Sequence, residues 1–206
     1  MNIIFLGPPG AGKGTIAGAI KDKYQLGHLS TGDMLRAEIK AQTELGSLAK
    51  GYIDKGQLVP DDVIIGMVEN KLKSQDGGLL FDGFPRTVQQ ADALGEIADI
   101  DAVINLDVPL EVVIKRICSR RICPACSKVF NTNTYGETTC DACGAELITR
   151  ADDNEETVSE RYQVYQKNTQ PLIQYYDEKG LLTTIDADDS VENICEQISR
   201  ILESEG

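Results

Sequence analysis

The sequence predicts an α/β fold, a three-layer α/β/α arrangement in which helices cover both faces of a five-stranded parallel sheet. Short apolar runs alternate with longer stretches of helical periodicity, which is the pattern of parallel βαβ units. The first apolar run leads directly into a glycine-rich loop and then into a helical stretch. A polar, cysteine-punctuated stretch at residues 122–149 interrupts this pattern and indicates a small inserted subdomain.

The five predicted strands lie at residues 3–6, 27–30, 79–81, 102–106 and 181–185. The predicted helices begin after the glycine-rich loop and near residues 31, 44, 60, 88, 109, 155 and 191. Thr87 and Ser190 are expected to cap two of these helices, and Pro171 is expected to kink or break the one that starts near residue 155. Ligands of such sheets lie beyond the carboxyl ends of the strands, so the site is expected there.

Composition narrows the classes of function. The chain has 206 residues, 41% of them hydrophobic, and a formal net charge of −13. So acidic a chain argues against nonspecific nucleic-acid binding, which depends on Lys and Arg neutralising phosphates. We find no apolar run approaching the ~18 residues of a membrane span and no basic or signal-like leader, so a cytoplasmic protein is expected.

The glycine-rich loop at residues 7–15 reads GPPGAGKGT and predicts a phosphate site. Glycines let the backbone curl and turn its N–H groups toward an anion, and the following helix points its positive end at the same place. Lys13 can bridge terminal phosphates. The position directly after the lysine is Gly14, so the hydroxyl that holds Mg²⁺ is assigned to Thr15. Asp82 ends the third predicted strand, where a carboxylate can meet the same metal directly or through water.

Basic residues gather near the end of the helix that begins at Pro109. Lys115, Arg116, Arg120 and Arg121 fall within seven residues of an otherwise acidic chain, which suggests an anion site. His28, the only histidine, is interpreted as structural.

Four cysteines form two CxxC pairs that are separated by 13 residues: Cys123, Cys126, Cys140 and Cys143. This spacing predicts a structural Zn²⁺ site with no open coordination position, although two disulfides or an iron site remain as alternatives. Metal binding would supply the folding energy that a subdomain with so few apolar residues lacks. Cys118 and Cys195 are predicted to be ordinary buried thiols.

The motifs together resemble one family, the bacterial long-form adenylate kinases with a zinc-bearing lid. The resemblance covers essentially the whole chain. It rests on GPPGAGKGT at 7–15, STGDMLR at 30–36, GQLVP at 56–60, DGFPRT at 82–87, RICSRR at 116–121, the four cysteines and TRADD at 149–153. It implies a P-loop core of residues 1–29, 60–118 and 150–206, a mobile helical monophosphate-binding insertion at 30–59 and a lid at 119–149.

The resemblance also implies roles for individual residues. The ATP site would comprise Gly10, Ala11, Gly12, Lys13, Gly14, Thr15, Arg116, Arg120, Val129, Phe130 and Asp189. The AMP site would comprise Thr31, Arg36, Gln57, Leu58, Val59, Gly83, Phe84, Pro85, Arg86, Gln90, Arg150 and Arg161. The catalytic cations would be Lys13, Arg86, Arg120, Arg150 and Arg161. Thr15 and Asp82 would be linked to Mg²⁺, and Asp152 and Asp153 would make the hinge and closing contacts of the lid.

The implied reaction is the reversible transfer of a phosphoryl group from MgATP to AMP, giving two ADP, in a monomer with a closing lid. A kinase for CMP or UMP stays open as an alternative, because neither Thr31 nor Gln90 excludes another base. A P-loop ATPase or GTPase switch and a zinc-ribbon nucleic-acid-binding module are more distant alternatives.

Overall fold

The structure is a computed structural model that describes residues 1–75 and 77–204. Its strands are β1 (Ile3–Leu6), β2 (Gly27–Ser30), β3 (Leu79–Asp82), β4 (Ala102–Asp107), β5 (Arg120–Ile122), β6 (Val129–Asn131) and β7 (Leu182–Asp186). Its helices are α1 (Lys13–Tyr24), α2 (Thr31–Lys40), α3 (Glu44–Ile53), α4 (Asp61–Lys73), α5 (Val88–Gly95), α6 (Leu110–Cys118), α7 (Glu155–Asn168), α8 (Pro171–Asp177) and α9 (Val191–Ser204).

Five strands form one sheet in the order β2-β3-β1-β4-β7, and every pair in it is parallel. The predicted five-stranded parallel sheet is therefore confirmed. The register aligns Ser30 with Asp82 and Leu6 with Asn105, so the ends of four strands meet at one edge of the sheet. This edge also receives the glycine-rich loop, which follows β1 directly.

Alternation along the strands divides the core into two halves, because successive side chains of a strand point to opposite faces. Ile3 and Phe5 of β1 belong to the half that packs against α1, α6 and α9. Ile4 and Leu6 belong to the half that packs against α4, α5 and α8. Helices on both faces bury the sheet, which explains the nearly continuous apolar runs of its central strands.

The two insertions differ in construction. The first is helical, since α2 and α3 lie between β2 and α4. The second contains the antiparallel pair β5–β6 and an isolated bridge between Ile122 and Ile148. Its small core consists of Cys123, Phe130 and Cys140, with Tyr135, Ala145 and Leu147 packed against them.

The predicted helix signals are largely confirmed. Thr87 caps α5 by accepting a hydrogen bond from the Gln90 N–H, and the Ser190 hydroxyl accepts one from the N–H of Asn193 in the first turn of α9. Pro171 breaks the helical stretch, because α7 ends at Asn168 and α8 begins at the proline. Among the described helices, none combines the length and apolar character needed to cross a bilayer.

The prediction for Cys118 is wrong. Its side chain is exposed, whereas Cys195 is half-buried. Cys118 is the last residue of α6, and the preceding Ile117 is the residue that faces the core. One further step of about 100° around a helix turns the next side chain away from the core.

Candidate active site

The glycine-rich loop connects the end of β1 to the start of α1, so the N-terminus of α1 closes it. The loop is held by the Ala11 N–H, which donates to the Pro8 carbonyl at 3.2 Å, and by the N–H groups of Thr15 and Ile16, which donate to Gly12. A helix N-terminus that opens onto a curled loop of this kind favours the binding of phosphate.

Lys13 lies across this loop. Its ammonium donates to the carbonyls of Gly7 at 2.7 Å and of Pro8 at 2.8 Å. Burial lowers the pKa of Lys13 to about 8, Asp82 opposes that shift, and nearby arginines add to it. The lysine is thus a cation that an anionic ligand would stabilise.

Asp82 lies beside the loop at the end of β3. Its Oδ2 is 3.4 Å from the point that a Cβ at Gly14 would occupy and 3.6 Å from His28 Nε2. Thr15 is an exposed residue in the first turn of α1. A carboxylate at the edge of a phosphate loop suits a divalent cation. The assignment of both residues to Mg²⁺ stays a prediction.

Two neighbouring carboxylates pair with the predicted catalytic arginines. Arg120 donates from Nε and Nη2 to the two carboxylate oxygens of Asp153, with a distance of 2.7 Å for the Nε bond. Arg161 donates to Asp152 at 2.8 Å and lies 3.7 Å from Asp153. The side chain of Asp153 is fully buried. These contacts join the start of β5, the segment before α7, and α7 itself.

The remaining arginines crowd the same region. Burial lowers the pKa of Arg86 to about 10. The neighbouring cations Arg161 and Arg36 lower this pKa further, whereas the charge of Asp82 raises it. Burial, followed by the charges of Arg36 and Arg120, lowers the pKa of Arg150 to about 10. The buried Nε of Arg150 has no hydrogen-bond partner among the described residues. Like charges gathered in a buried region form a site that is complementary to an anion of several charges.

Gly83 organises the side of the site predicted for AMP. Its carbonyl accepts from Thr31 Oγ1 at 2.7 Å and from Arg86 Nε at 2.8 Å. Its φ is +74°, and an added Cβ would lie 2.8 Å from Arg86 Nη2, so glycine is strongly favoured here. The next peptide, Phe84–Pro85, is cis, and Phe84 is buried. Thr169 anchors the backbone by donating to the Arg86 carbonyl at 2.9 Å.

A cavity of about 420 Å³ adjoins these residues. It is lined by Gln57, Leu58, Val59, Pro60, Asp61, Thr87, Val164 and Asn168. The structure thus brings the predicted segment at residues 57–59 together with α7. Arg36 is half-exposed and pairs with Asp33 on its own helix. Its charge nevertheless lies close enough to the arginine cluster to lower the pKa of Arg86 and of Arg150.

Gln90 is buried, with 2% of its surface exposed, and both ends of its amide are bonded. Its Oε1 accepts from the Arg86 N–H at 2.8 Å, and its Nε2 donates to Asp61 at 2.7 Å. Sequence reasoning missed Asp61 as a partner, since an acidic residue in the first turn of a helix is ordinary. It likewise missed Val164 and Asn168 as cavity residues.

The residues predicted for the ATP base lie on two elements. Arg116 donates to the carbonyl of Ala187 at 2.8 Å and to that of Ala11 at 3.5 Å, and so links the glycine-rich loop to the β7–α9 connection. Asp189 lies in that connection and accepts from the Ser190 N–H at 2.6 Å. Val129 is exposed on the β5–β6 hairpin, whereas the ring of Phe130 is buried in the small core of the second insertion. The contacts of these residues with ATP stay predictions.

The four cysteines of the second insertion come together. Their sulfurs all lie within 4.8 Å of one another, and all four are free thiols. Each pair is held by the same turn: the Ser127 N–H donates to the Cys123 carbonyl and the Gly144 N–H to the Cys140 carbonyl. The hydrogen bond from the Cys126 N–H lowers the pKa of Cys123 to about 6. The hydrogen bond from the Ala145 N–H is outweighed by the neighbouring thiols, which raise the pKa of Cys143 to about 12. A metal would therefore displace protons from some of these thiols as it binds.

The sulfur separations also fit a metal. They are 3.4 Å for Cys123–Cys143, 3.6 Å for Cys126–Cys140 and 3.9 Å for Cys126–Cys143. Tetrahedral thiolate ligands at zinc distances stand about 3.8 Å apart, whereas a disulfide joins sulfurs at about 2.05 Å. The geometry therefore matches a four-thiolate metal site better than two disulfides.

The parallel sheet, the phosphate loop at its carboxyl edge and the cluster of buried cations define a P-loop phosphotransferase of nucleotides. Comparison with known proteins narrows the class. The family model described as Adenylate kinase matches residues 5–181. The chain is 51% identical to a protein named Adenylate kinase from Archaeoglobus fulgidus, over 98% of both chains. It is also 51% identical to one from Kosmotoga olearia, over 99% of this chain and 100% of that one, and 49% identical to one from Clostridium beijerinckii, over 98% of both. The chain belongs to the adenylate kinase family.

Proposed function

We propose that the chain catalyses the reversible transfer of a phosphoryl group from MgATP to AMP, giving two ADP, at the carboxyl edge of its parallel sheet. The observation that carries the proposal is the convergence of five cations there: Lys13, Arg86, Arg120, Arg150 and Arg161. The glycine-rich loop supports ATP binding on one side. The cavity beside residues 57–59 supports AMP binding on the other.

The cations account for catalysis by charge stabilisation. Phosphoryl transfer spreads negative charge over the transferred oxygens and involves little covalent chemistry with the protein, so positioning and electrostatics dominate. Arginine suits this task because its planar fork donates to two oxygens and stays protonated. An AMP phosphate oxygen is already anionic at neutral pH, and the transfer therefore needs no general base.

The carboxylates of Asp152 and Asp153 act as partners that the phosphates of bound nucleotides replace. They hold Arg120 and Arg161 in place when no phosphate is present. Exchange of a carboxylate for a phosphate would draw the lid at 119–149, which contains Arg120, toward the core. Closure excludes water, and the phosphoryl group then passes to AMP rather than to water.

Two metal ions complete the proposal. Mg²⁺, which neutralises phosphate charge, would be held with ATP by Thr15 and by Asp82, directly or through water. Structural Zn²⁺ would be held by the four lid cysteines. With four thiolates it has no open position for a substrate, so its role is to keep the lid folded.

The proposal is tested by varying the nucleotide that is offered as phosphoryl acceptor. Purified protein with MgATP is offered AMP, CMP, UMP, GMP or no acceptor, and ADP is measured by a coupled assay. We expect strong ADP formation with AMP and little loss of ATP without an acceptor. Preference for CMP or UMP would keep the fold and mechanism but overturn the choice of substrate, and acceptor-independent loss of ATP would overturn the kinase.

A pair of variants tests the cationic cluster in the same assay. Arg120→Lys keeps the charge but loses the fork, and we expect the AMP-dependent rate to fall about a hundredfold or more. Arg200→Lys changes an exposed arginine on α9 in the same way and serves as the control, with no expected change. Equal rates in both variants would contradict the role of Arg120.

A further inference from the structure

The amide of Gln90 is held at both ends by groups of opposite hydrogen-bonding character. At one end stands Asp61, whose carboxylate oxygen accepts from Nε2 at 2.7 Å. At the other stands the backbone N–H of Arg86, which donates to Oε1 at 2.8 Å. A carboxylate only accepts and a backbone N–H only donates. Each neighbour independently selects the same orientation of the amide.

Thr87 fixes Asp61 in turn. The Thr87 hydroxyl accepts a hydrogen bond from the backbone N–H of Gln90 at 3.2 Å, and its O–H donates to Asp61 Oδ2 at 2.9 Å. Gln90 of α5 and the capping residue Thr87 thereby engage both oxygens of Asp61, although Asp61 itself lies in the first turn of α4. The three residues form a closed network that leaves the Gln90 amide no low-energy rotation, because a flip would turn its oxygen toward a carboxylate.

Gln90 keeps one N–H and one oxygen lone pair beyond these bonds, since an amide offers two of each. Asp61 and Thr87 also line the cavity of about 420 Å³. A 6-aminopurine offers an acceptor at N1 and a donor at its amino group, which complement the remaining N–H and lone pair of Gln90. A 6-oxopurine presents the reverse pattern, with a donor at N1 and an acceptor at C6.

We propose that Asp61 is a specificity-determining residue of the monophosphate site, which selects 6-aminopurine over 6-oxopurine nucleotides by fixing the orientation of the Gln90 amide. The inference rests on the proposed function, because it takes Gln90 as the residue that reads the base. Asp61 acts through Gln90 and is a positioning residue. A polar site that is fixed in this way discriminates strongly between the two kinds of base, since a 6-oxopurine leaves the hydrogen-bonding groups of the Gln90 amide unpaired.

The test compares AMP with inosine monophosphate, which has a 6-oxopurine base of nearly the same shape. Asp61→Asn keeps the size of the side chain but can present either an oxygen or an NH₂ group to Gln90, so only the Arg86 N–H still selects the orientation of the amide. The ratio of kcat/KM for AMP to that for inosine monophosphate should fall by about tenfold or more, the loss expected for a charge-assisted hydrogen bond. Some preference for AMP should remain, because the Arg86 N–H is unchanged.

The direction of each change separates positioning from damage to the fold. We expect kcat/KM for inosine monophosphate to rise while that for AMP falls, with KM for ATP unchanged. Loss of structure would lower both values together. Asp62→Asn is the matched control, because it removes an exposed acid from the same first turn of α4 and should leave the ratio unchanged.

The outcomes distinguish this inference from the proposed function. If the native protein phosphorylates AMP selectively and Asp61→Asn leaves the ratio unchanged, the role of Asp61 is overturned and the function stands. If the native protein does not phosphorylate AMP, both fail. Should Asp61→Asn not fold, Thr87→Val removes the hydroxyl that holds Asp61. In the folded variant the ratio should then fall at least about threefold, and an unchanged ratio would overturn the inference.

Discussion

Replacement of Asp153 by Asn tests whether carboxylates stand in for phosphates in this site. The fully buried Asp153 side chain accepts two hydrogen bonds from Arg120 and lies 3.7 Å from Arg161. Removing one partner of a buried ion pair costs about 3–5 kcal/mol, because the other charge is left unpaired. Asn keeps one acceptor, so we expect the lower end, about 3 kcal/mol, or about 6–12 °C in melting temperature.

Bound nucleotide should repair most of this loss. If phosphates take over Arg120 and Arg161, the loss in the presence of saturating MgADP should shrink to about 1 kcal/mol, the ordinary worth of a remaining hydrogen bond. MgADP should therefore stabilise Asp153→Asn by about 2 kcal/mol more than it stabilises the native protein.

Urea unfolding of both proteins, with and without MgADP, measures these differences. Glu196→Gln is the control, since it removes an exposed pair with Arg200 that is worth about 0.3–0.5 kcal/mol. An equal loss with and without MgADP would refute the exchange of carboxylate for phosphate. If Asp153→Asn does not lower the free energy of unfolding in either condition, the buried ion pair with Arg120 and Arg161 does not stabilise the protein.

Three further predictions concern the second insertion, the phosphate loop and the first insertion. Cys126→Ala removes one of the four clustered thiols proposed to hold Zn²⁺ and should lower the melting temperature more than the turnover at low temperature. Lost turnover with an intact melting point would contradict that view. Because burial lowers the pKa of Lys13 from 10.5 to about 8, the folded protein binds fewer protons than the unfolded chain between those values, and the contribution of Lys13 to stability rises with pH there. A bound triphosphate restores the proton, so calorimetry at pH 9 in two buffers should show proton uptake on ATP binding and weaker binding than at pH 7, and no uptake would count against Lys13 as a ligand. Gly56→Ala should destabilise the protein by about 1–3 kcal/mol and slow phosphoryl transfer, because the φ of Gly56 is +70° and its Cβ would lie 2.9 Å from Arg161 Cγ and 3.1 Å from the Thr157 carbonyl. Unchanged unfolding in urea would refute this.

The sequence was most informative where a physical requirement is local. All five strands of the parallel sheet were predicted. Apolar runs of strand length indicated β1, β3 and β4, because a strand that is buried on both faces needs apolar residues on both. The phosphate loop and the cysteine pairs could also be predicted from the sequence, since each depends on a few residue types at fixed spacing. Thr87 and Pro171 acted on their helices as local rules predict.

Interactions between segments that are distant in the sequence could not be predicted from local patterns. The pairing of Asp61 with Gln90 joins residues 29 positions apart, and that of Arg120 with Asp153 joins residues 33 apart. Such partners depend on how helices pack, which no local pattern specifies. The predicted burial of Cys118 was wrong for a related reason. Its apolar neighbours suggested a buried side chain, but its position at the end of α6 turns the side chain outward. The roles of single arginines came from the resemblance and not from the residues themselves.

We propose above all that the phosphoryl group passes directly to AMP in a site that excludes water. Phosphorus NMR of the protein with MgATP and AMP measures this most directly, because it resolves ATP, ADP, AMP and inorganic phosphate in one sample. We expect two ADP to form for each ATP consumed, with no inorganic phosphate, and no consumption of ATP when AMP is left out. Inorganic phosphate that accumulates with ADP, with or without AMP, would contradict it.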